Sequence, residues 1–147
     1  MTVRVERVAE VTDEVVDALA GLLPQLSRTA GRVSADAVAR LVEHPGTMLL
    51  VARVADRVVG SLTLVVFPLL TGARARIEDV VVDESARGQG VGSALTLEAL
   101  RLAGGAGARS VDLTSRPSRV AANRLYQRLG FAERDSRVYR YAPGGDG

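Results

Sequence analysis

The chain contains no cysteine, no tryptophan and no lysine, and only one histidine. Without cysteine there are no disulfides, no cysteine-ligated metal centres and no cysteine nucleophile. A histidine-based metal cluster or a Ser-His-Asp triad would have to use His44 alone. That residue stands in the turn sequence His44-Pro45-Gly46, where an exposed side chain without a chemical role is expected. Aromatic residues make up 3% of the chain, too few to stack on bases, so nucleic acid is not the expected partner. No apolar run approaches the ~20 residues that span a bilayer. The opening MTVRVERVAEVTDE also lacks the apolar segment of a signal peptide. A cytoplasmic chain without a membrane partner is expected.

Hydrophobic residues make up 47% of the 147, enough to close a core. One domain over 1–142 is expected, with 143–147 as a flexible tail. All 19 basic residues are arginine, and the formal charge of +2 is unevenly spread. Residues 1–100 carry 10 arginines against 13 acids, whereas 101–147 carry 9 against 4. The C-terminal third therefore suits an anionic partner.

Hydrophobic periodicity gives the elements. Residues 3–9 alternate as a strand. Thr12 or Asp13 caps a helix with Val15, Val16, Leu19, Leu22 and Leu23 inward, and Pro24 and Gly31 break up the next stretch. Ser34 caps a helix over 35–43. Segments 47–54 and 57–67 flank Ala55-Asp56 as an antiparallel hairpin. A strand over 74–82, a helix over 90–103 ended by Gly104, Gly105 and Gly107, and a strand over 109–114 form a crossover unit. A helix over 118–129 stops at Gly130, and two strands close the chain. The order implies an α/β (α+β) domain on one mixed sheet.

At the strand-to-helix junction stands Arg87-Gly88-Gln89-Gly90-Val91-Gly92-Ser93. The first N–H groups of a helix have no internal partners and lie at its positive end. Glycines there let an anion reach those amides, and Arg87 adds a fixed charge. The segment suits a phosphate or pyrophosphate. A P-loop is excluded because it requires lysine, and a dinucleotide loop would need glycine where Ser93 stands.

The stretch fits [QR]-x-x-G-x-[GA], and Ala121-Ala122-Asn123-Arg124-Leu125-Tyr126-Gln127-Arg128-Leu129-Gly130-Phe131 fits A-x-x-L-Y-x-x-x-G-F. Together with the element order, these motifs resemble the GNAT superfamily of acetyl-CoA-dependent N-acetyltransferases over nearly the whole chain. The resemblance implies a mixed, mostly antiparallel sheet of about six to seven strands flanked by about four helices. It implies acetyl-CoA as acetyl donor, no metal, and direct transfer to a primary amine in a ternary complex. It assigns the pyrophosphate to the amides of residues 87–92 and Ser93, and the pantetheine arm to the backbone of Val80 and Val82. Asn123 is a further candidate for pantetheine, in place of the asparagine many members carry where Arg119 stands here. Arg119, Arg124 and Arg128 are candidates for the phosphates of CoA. Tyr126 matches the family tyrosine that protonates the departing thiolate. A backbone N–H at Val80 or Val81 would polarise the thioester carbonyl.

Glu78 is the candidate base, directly or through water. Unbroken alternation puts it on the same strand face as Val80 and Val82, where a carboxylate among valines is costly unless paired or used. Asp79 should point the other way, and Asp83 and Glu84 read as exposed loop acids. The acceptor site of the family falls here roughly on 20–46 and 67–75. The strand Ile77-Glu78-Asp79-Val80-Val81-Val82 resembles that of acetyltransferases for glucosamine phosphate and aminoalkylphosphonate, with Arg28, Arg32, Arg74, Arg76 or Arg116 available to an anionic acceptor. A small-molecule amine is the favoured acceptor. A protein α-amine or lysine, and a non-catalytic acyl-CoA-binding module, are the alternatives. Val138, Tyr139 and Tyr141 offer an apolar surface for a homodimer.

Overall fold

The computed structural model describes residues 2–144. They divide after Ser115 into two compact units. The first contains β1 (Val3–Arg7), α1 (Asp13–Leu26), α2 (Ala35–Glu43), β2 (Thr47–Val54), β3 (Arg57–Phe67), β4 (Arg74–Val82), a 3-10 turn (Glu84–Ala86), α3 (Val91–Gly105) and β5 (Val111–Asp112). The strands form one sheet in the order β1-β2-β3-β4-β5, antiparallel except for the parallel pair β4–β5.

The β2–β3 hairpin agrees with the sequence expectation. Ala55 and Asp56 take φ of 51° and 64°, the left-handed pair that matches the twist of a two-residue turn. Thr12 caps α1 by accepting the Val15 N–H at 3.2 Å, and Ser34 caps α2 by accepting that of Ala37 at 3.1 Å.

Two expected breaks fall inside helices. Pro24 lies within α1, which runs on to Leu26. Its missing N–H removes one bond in the last turn, at the carbonyl of exposed Ala20, which is open to water. Gly104 and Gly105 lie within α3, because Ala99 and Ala103 hold that turn against the sheet. Gly107, at φ +79°, ends the helix region.

The sheet buries both faces. Val8, Val15, Leu22, Val38, Leu49, Val51, Val58 and Val81 join it to α1 and α2. Leu50, Leu62, Leu64, Val91 and Leu95 are buried on the α3 side. Gly60 of β3 lies under α3. A Cβ there would stand 2.9 Å from Val91 Cγ1 and 3.2 Å from both Leu95 Cδ1 and the Val81 carbonyl.

The second unit contains α4 (Val120–Arg128), closed at Gly130 with φ +101°. The strand pair expected over 130–142 is absent among the described residues, so the sheet has five strands rather than six or seven. Alternation makes a strand only where a neighbour and a core cover one face. Here Val138, Tyr139 and Tyr141 are 72%, 86% and 87% exposed. Part of the expected tail, residues 145–147, lies outside the described residues. Among the described residues no helix is long and apolar enough to cross a membrane.

Gly60→Ala should lower stability by about 1–3 kcal/mol, because α3 must rise off the sheet to admit the methyl group. Urea unfolding measures this. An unchanged midpoint would mean that α3 does not press on Gly60.

Candidate active site

Strand β4 carries a β-bulge. Thr63 lies opposite Glu78 and Ser61 opposite Val81, so the single residue Leu62 faces both Asp79 and Val80. Asp79 adopts φ +52°, a left-handed conformation that aspartate tolerates better than most side chains. The extra residue overturns the expected alternation. Glu78 shares its face with Val81, on the α1–α2 side, and not with Val80 and Val82. Val82 lies opposite Gly60, on the α3 side.

Nor is Glu78 enclosed by valines. Its side chain is 48% exposed, and Oε2 accepts from Arg76 Nε at 3.2 Å. Arg76 Nη2 donates to Thr114 Oγ1 at 3.1 Å. Hydration and this pair hold the carboxylate without a burial cost.

Beyond β4 the chain is pinned, then released. The Asp83 N–H donates to the Val59 carbonyl at 2.7 Å, and the Asp83 carboxylate caps the 3-10 turn by accepting the Ser85 N–H at 3.3 Å and the Ser85 hydroxyl. Gln25, on the last turn of α1, donates Nε2–H to Asp83 Oδ1 at 2.8 Å and accepts the Glu84 N–H at 3.0 Å. Asp83 is therefore more than an exposed loop acid. The Ser85 hydroxyl, then Gln25, hold its carboxyl below the ordinary aspartate range. An aspartate two residues before a serine is a turn signal legible in sequence. Gln25, distant along the chain, carries no such signal.

Gly88 and Gly90 take φ of +80° and +81°, and nothing stands within 4 Å of where their Cβ atoms would be. The positive φ calls for glycine here, and the space beside the two residues is open. Gly90 is the N-cap of α3, and no side chain caps that helix. The amides of Val91, Gly92 and Ser93 therefore begin a 15-residue helix beside the open space at Gly88 and Gly90, an arrangement that can receive an anion. The Val91 side chain is buried, so only its backbone faces the cradle. Arg87 is exposed, and Gln89 Nε2 turns back to the Ser85 carbonyl at 3.4 Å.

Tyr126 and Asn123 belong to the second unit. The Tyr126 ring meets Phe131 edge-on, with centroids 5.8 Å apart. Burial pushes its phenol above the usual tyrosine range, against the opposing pull of the Arg119 charge. Asn123 Nδ2 donates to the Arg116 carbonyl at 3.0 Å, which ties the start of α4 to the segment before it.

The profile of the acetyltransferase (GNAT) family matches residues 14–131. The chain belongs to the GNAT family. It is 41% identical over 78 residues to glucosamine 6-phosphate N-acetyltransferase of Trypanosoma brucei brucei, a match that covers 51% of each chain. The match thus spans about half the length of that relative. Among solved structures, a transcriptional regulator of Bacillus halodurans C-125 superposes with a TM-score of 0.83 at 27% identity, over 96% of this chain and 100% of that one. An acetyltransferase of Trypanosoma brucei gives 0.77 at 26%, again over 96% and 100%. The GNAT match runs through β4, the glycine loop and α4, so both motifs lie inside it.

Because Asp79 is left-handed, Asp79→Val should cost about 1–2 kcal/mol while Asp79→Gly costs little. Chemical denaturation of the two variants checks this. Equal losses would argue against a strained bulge.

Proposed function

We propose that the protein is an N-acetyltransferase that moves the acetyl group of acetyl-CoA to a primary amine of a small molecule. The observation that carries this reading is the open, glycine-lined start of α3, whose uncapped amides suit the pyrophosphate of CoA. The GNAT match and the similarity to a glucosamine 6-phosphate N-acetyltransferase support the reaction class. Arg76 on β4 favours an acceptor that also bears an anionic group. We read residues 1–142 as one functional domain, since the family match crosses Ser115.

In this reading residues 87–93 hold the pyrophosphate, and the β4 backbone at Val80 and Val82 accompanies the pantetheine arm. A bulge leaves backbone groups outside the ladder, available to the arm and to the thioester carbonyl. Asn123, whose Nδ2 donates to the Arg116 carbonyl, is a further candidate for pantetheine. Glu78, exposed and paired with Arg76, takes up the proton of the acceptor amine, directly or through water. Transfer forms the C–N bond and breaks the C–S bond, and the Tyr126 hydroxyl supplies the proton that the thiolate needs. A raised phenol pKa suits that role, because the proton stays in place throughout the neutral range. The absence of cysteine excludes an acyl-cysteine intermediate and leaves direct transfer as the simplest scheme. A cytoplasmic location goes with acetyl-CoA as donor. Exposed Val138, Tyr139 and Tyr141 support a homodimer, which sedimentation would reveal as a doubled mass.

Calorimetric titration with acetyl-CoA, then thiol release against a panel of amines and amino-sugar phosphates, tests the proposal. Wild type should bind and turn over, and Gly90→Glu should lose binding by placing bulk and negative charge in the cradle. Equal affinity in that variant would remove the pyrophosphate from the loop.

The two candidate catalytic side chains separate by pH. Tyr126→Phe should lower kcat at least about tenfold while acetyl-CoA still binds. Glu78→Gln should slow the reaction most at neutral pH, where deprotonation of the amine limits, and less as pH rises. A wild-type kcat in Tyr126→Phe would remove Tyr126 from catalysis, and a pH–rate profile identical to wild type in Glu78→Gln would remove Glu78.

A further inference from the structure

We propose that Gln25 is a positioning residue for the glycine loop and that it sets affinity for the acyl donor without touching it. The inference rests on the reading of residues 87–93 as the pyrophosphate cradle.

Gly88 and Gly90 have no side chains and no neighbour within 4 Å of their Cβ positions. Glycine backbone is permissive, so these two residues do not hold the open conformation by themselves, and Gln89 Nε2 between them reaches back to the Ser85 carbonyl of the incoming segment at 3.4 Å. The constraint comes from its flanks: buried Val91 seats the α3 side, and the segment that leads in sets the other. That segment is fixed by side chains from two other elements and by its own Asp83. The Gln25 carboxamide, from α1, donates to the Asp83 side chain and accepts the Glu84 backbone N–H, a two-point contact across 58 residues of sequence. Arg57, at the start of β3, donates to Ser85 Oγ at 3.3 Å. Asp83 itself gathers Ser85 through both backbone and hydroxyl.

Only glutamine satisfies the α1 contact. It must present a donor to a carboxylate and an acceptor to an amide at the same time. Glutamate lacks the donor and would set a second carboxylate against Asp83. Asparagine is one methylene short. Gln25 is exposed and lies outside the hydrophobic core, so packing does not account for this pairing. What it fixes is the direction in which residues 86–90 leave the sheet, and so where the first α3 amides meet an anion. A cradle ordered before binding spares the donor the cost of ordering it.

This role makes a distinct kinetic prediction. A residue that acts only through the loop changes donor affinity and leaves the reacting atoms alone. Gln25→Met, of similar length but with neither donor nor amide acceptor, and Gln25→Ala should each raise Kd and KM for acetyl-CoA about tenfold. At saturating donor kcat should stay within about twofold of wild type. In an Asp83→Ala background, Gln25→Met should add little, since both substitutions break one linkage. The melting temperature of each unliganded variant separates loop effects from general destabilisation.

A Gln25→Met variant with wild-type Kd would overturn the proposal, as would a loss confined to kcat or fully additive effects with Asp83→Ala. If acetyl-CoA binds wild type and Gly90→Glu abolishes binding while both Gln25 variants bind normally, the cradle stands and the positioning role falls. If wild type fails to bind acetyl-CoA at all, the cradle reading and this inference fall together.

Discussion

Helix α3 has to lie close on the sheet, and the contact that permits this is a glycine. At Gly60 the β3 backbone meets Val91 and Leu95 with no room for a methyl group. Val91 is the first residue of α3 and is buried, so the same contact that seats the helix also fixes where its first amides stand. The side chain goes into the core and the N–H is left facing the open loop. Packing and the candidate anion site are thus two sides of one residue. Closely packed interiors allow little slack in such an arrangement, which is why the chain before α3 must arrive in a defined direction.

Strand β4 meets that demand at both ends of a short stretch. Its bulge at Asp79 and Val80 interrupts the ladder and turns Glu78 to the α1–α2 face, beside Arg76. Three residues later Asp83 anchors to Val59 of the neighbouring strand and to Gln25 of α1. Between those points Val80 and Val82 are half-buried. A strand that is bulged, then clamped, then opened into left-handed glycines is the local geometry on which the proposed donor site rests.

Much of this was legible in the sequence, and the remainder was hidden for physical reasons. The hairpin at Ala55-Asp56, the caps Thr12 and Ser34 and the glycine junction at 88–92 announce themselves through turn residues, capping residues and periodicity, all local signals. The family motifs likewise lie on continuous segments. The bulge left no such trace: an aspartate in a valine-rich strand reads as one more alternating residue, and a single extra residue reverses every face assignment beyond it. Pro24 and the pair Gly104-Gly105 look like helix ends because propensity is local, while burial of Leu22, Ala99 and Ala103 decides otherwise. Val138, Tyr139 and Tyr141 carry strand propensity with no partner strand among the described residues to realise it. The link from Gln25 to Asp83 depends on folding and has no sequence signature at all.

The central claim is that the backbone amides at the start of α3 receive the pyrophosphate of the acyl donor. The most direct measurement is an amide nuclear magnetic resonance titration of the isotope-labelled protein with CoA. Large shifts confined first to Gly88, Gly90, Val91, Gly92 and Ser93, and repeated by inorganic pyrophosphate at higher concentration, are the result expected. Binding of CoA that moves other amides while these stay unchanged would contradict the account.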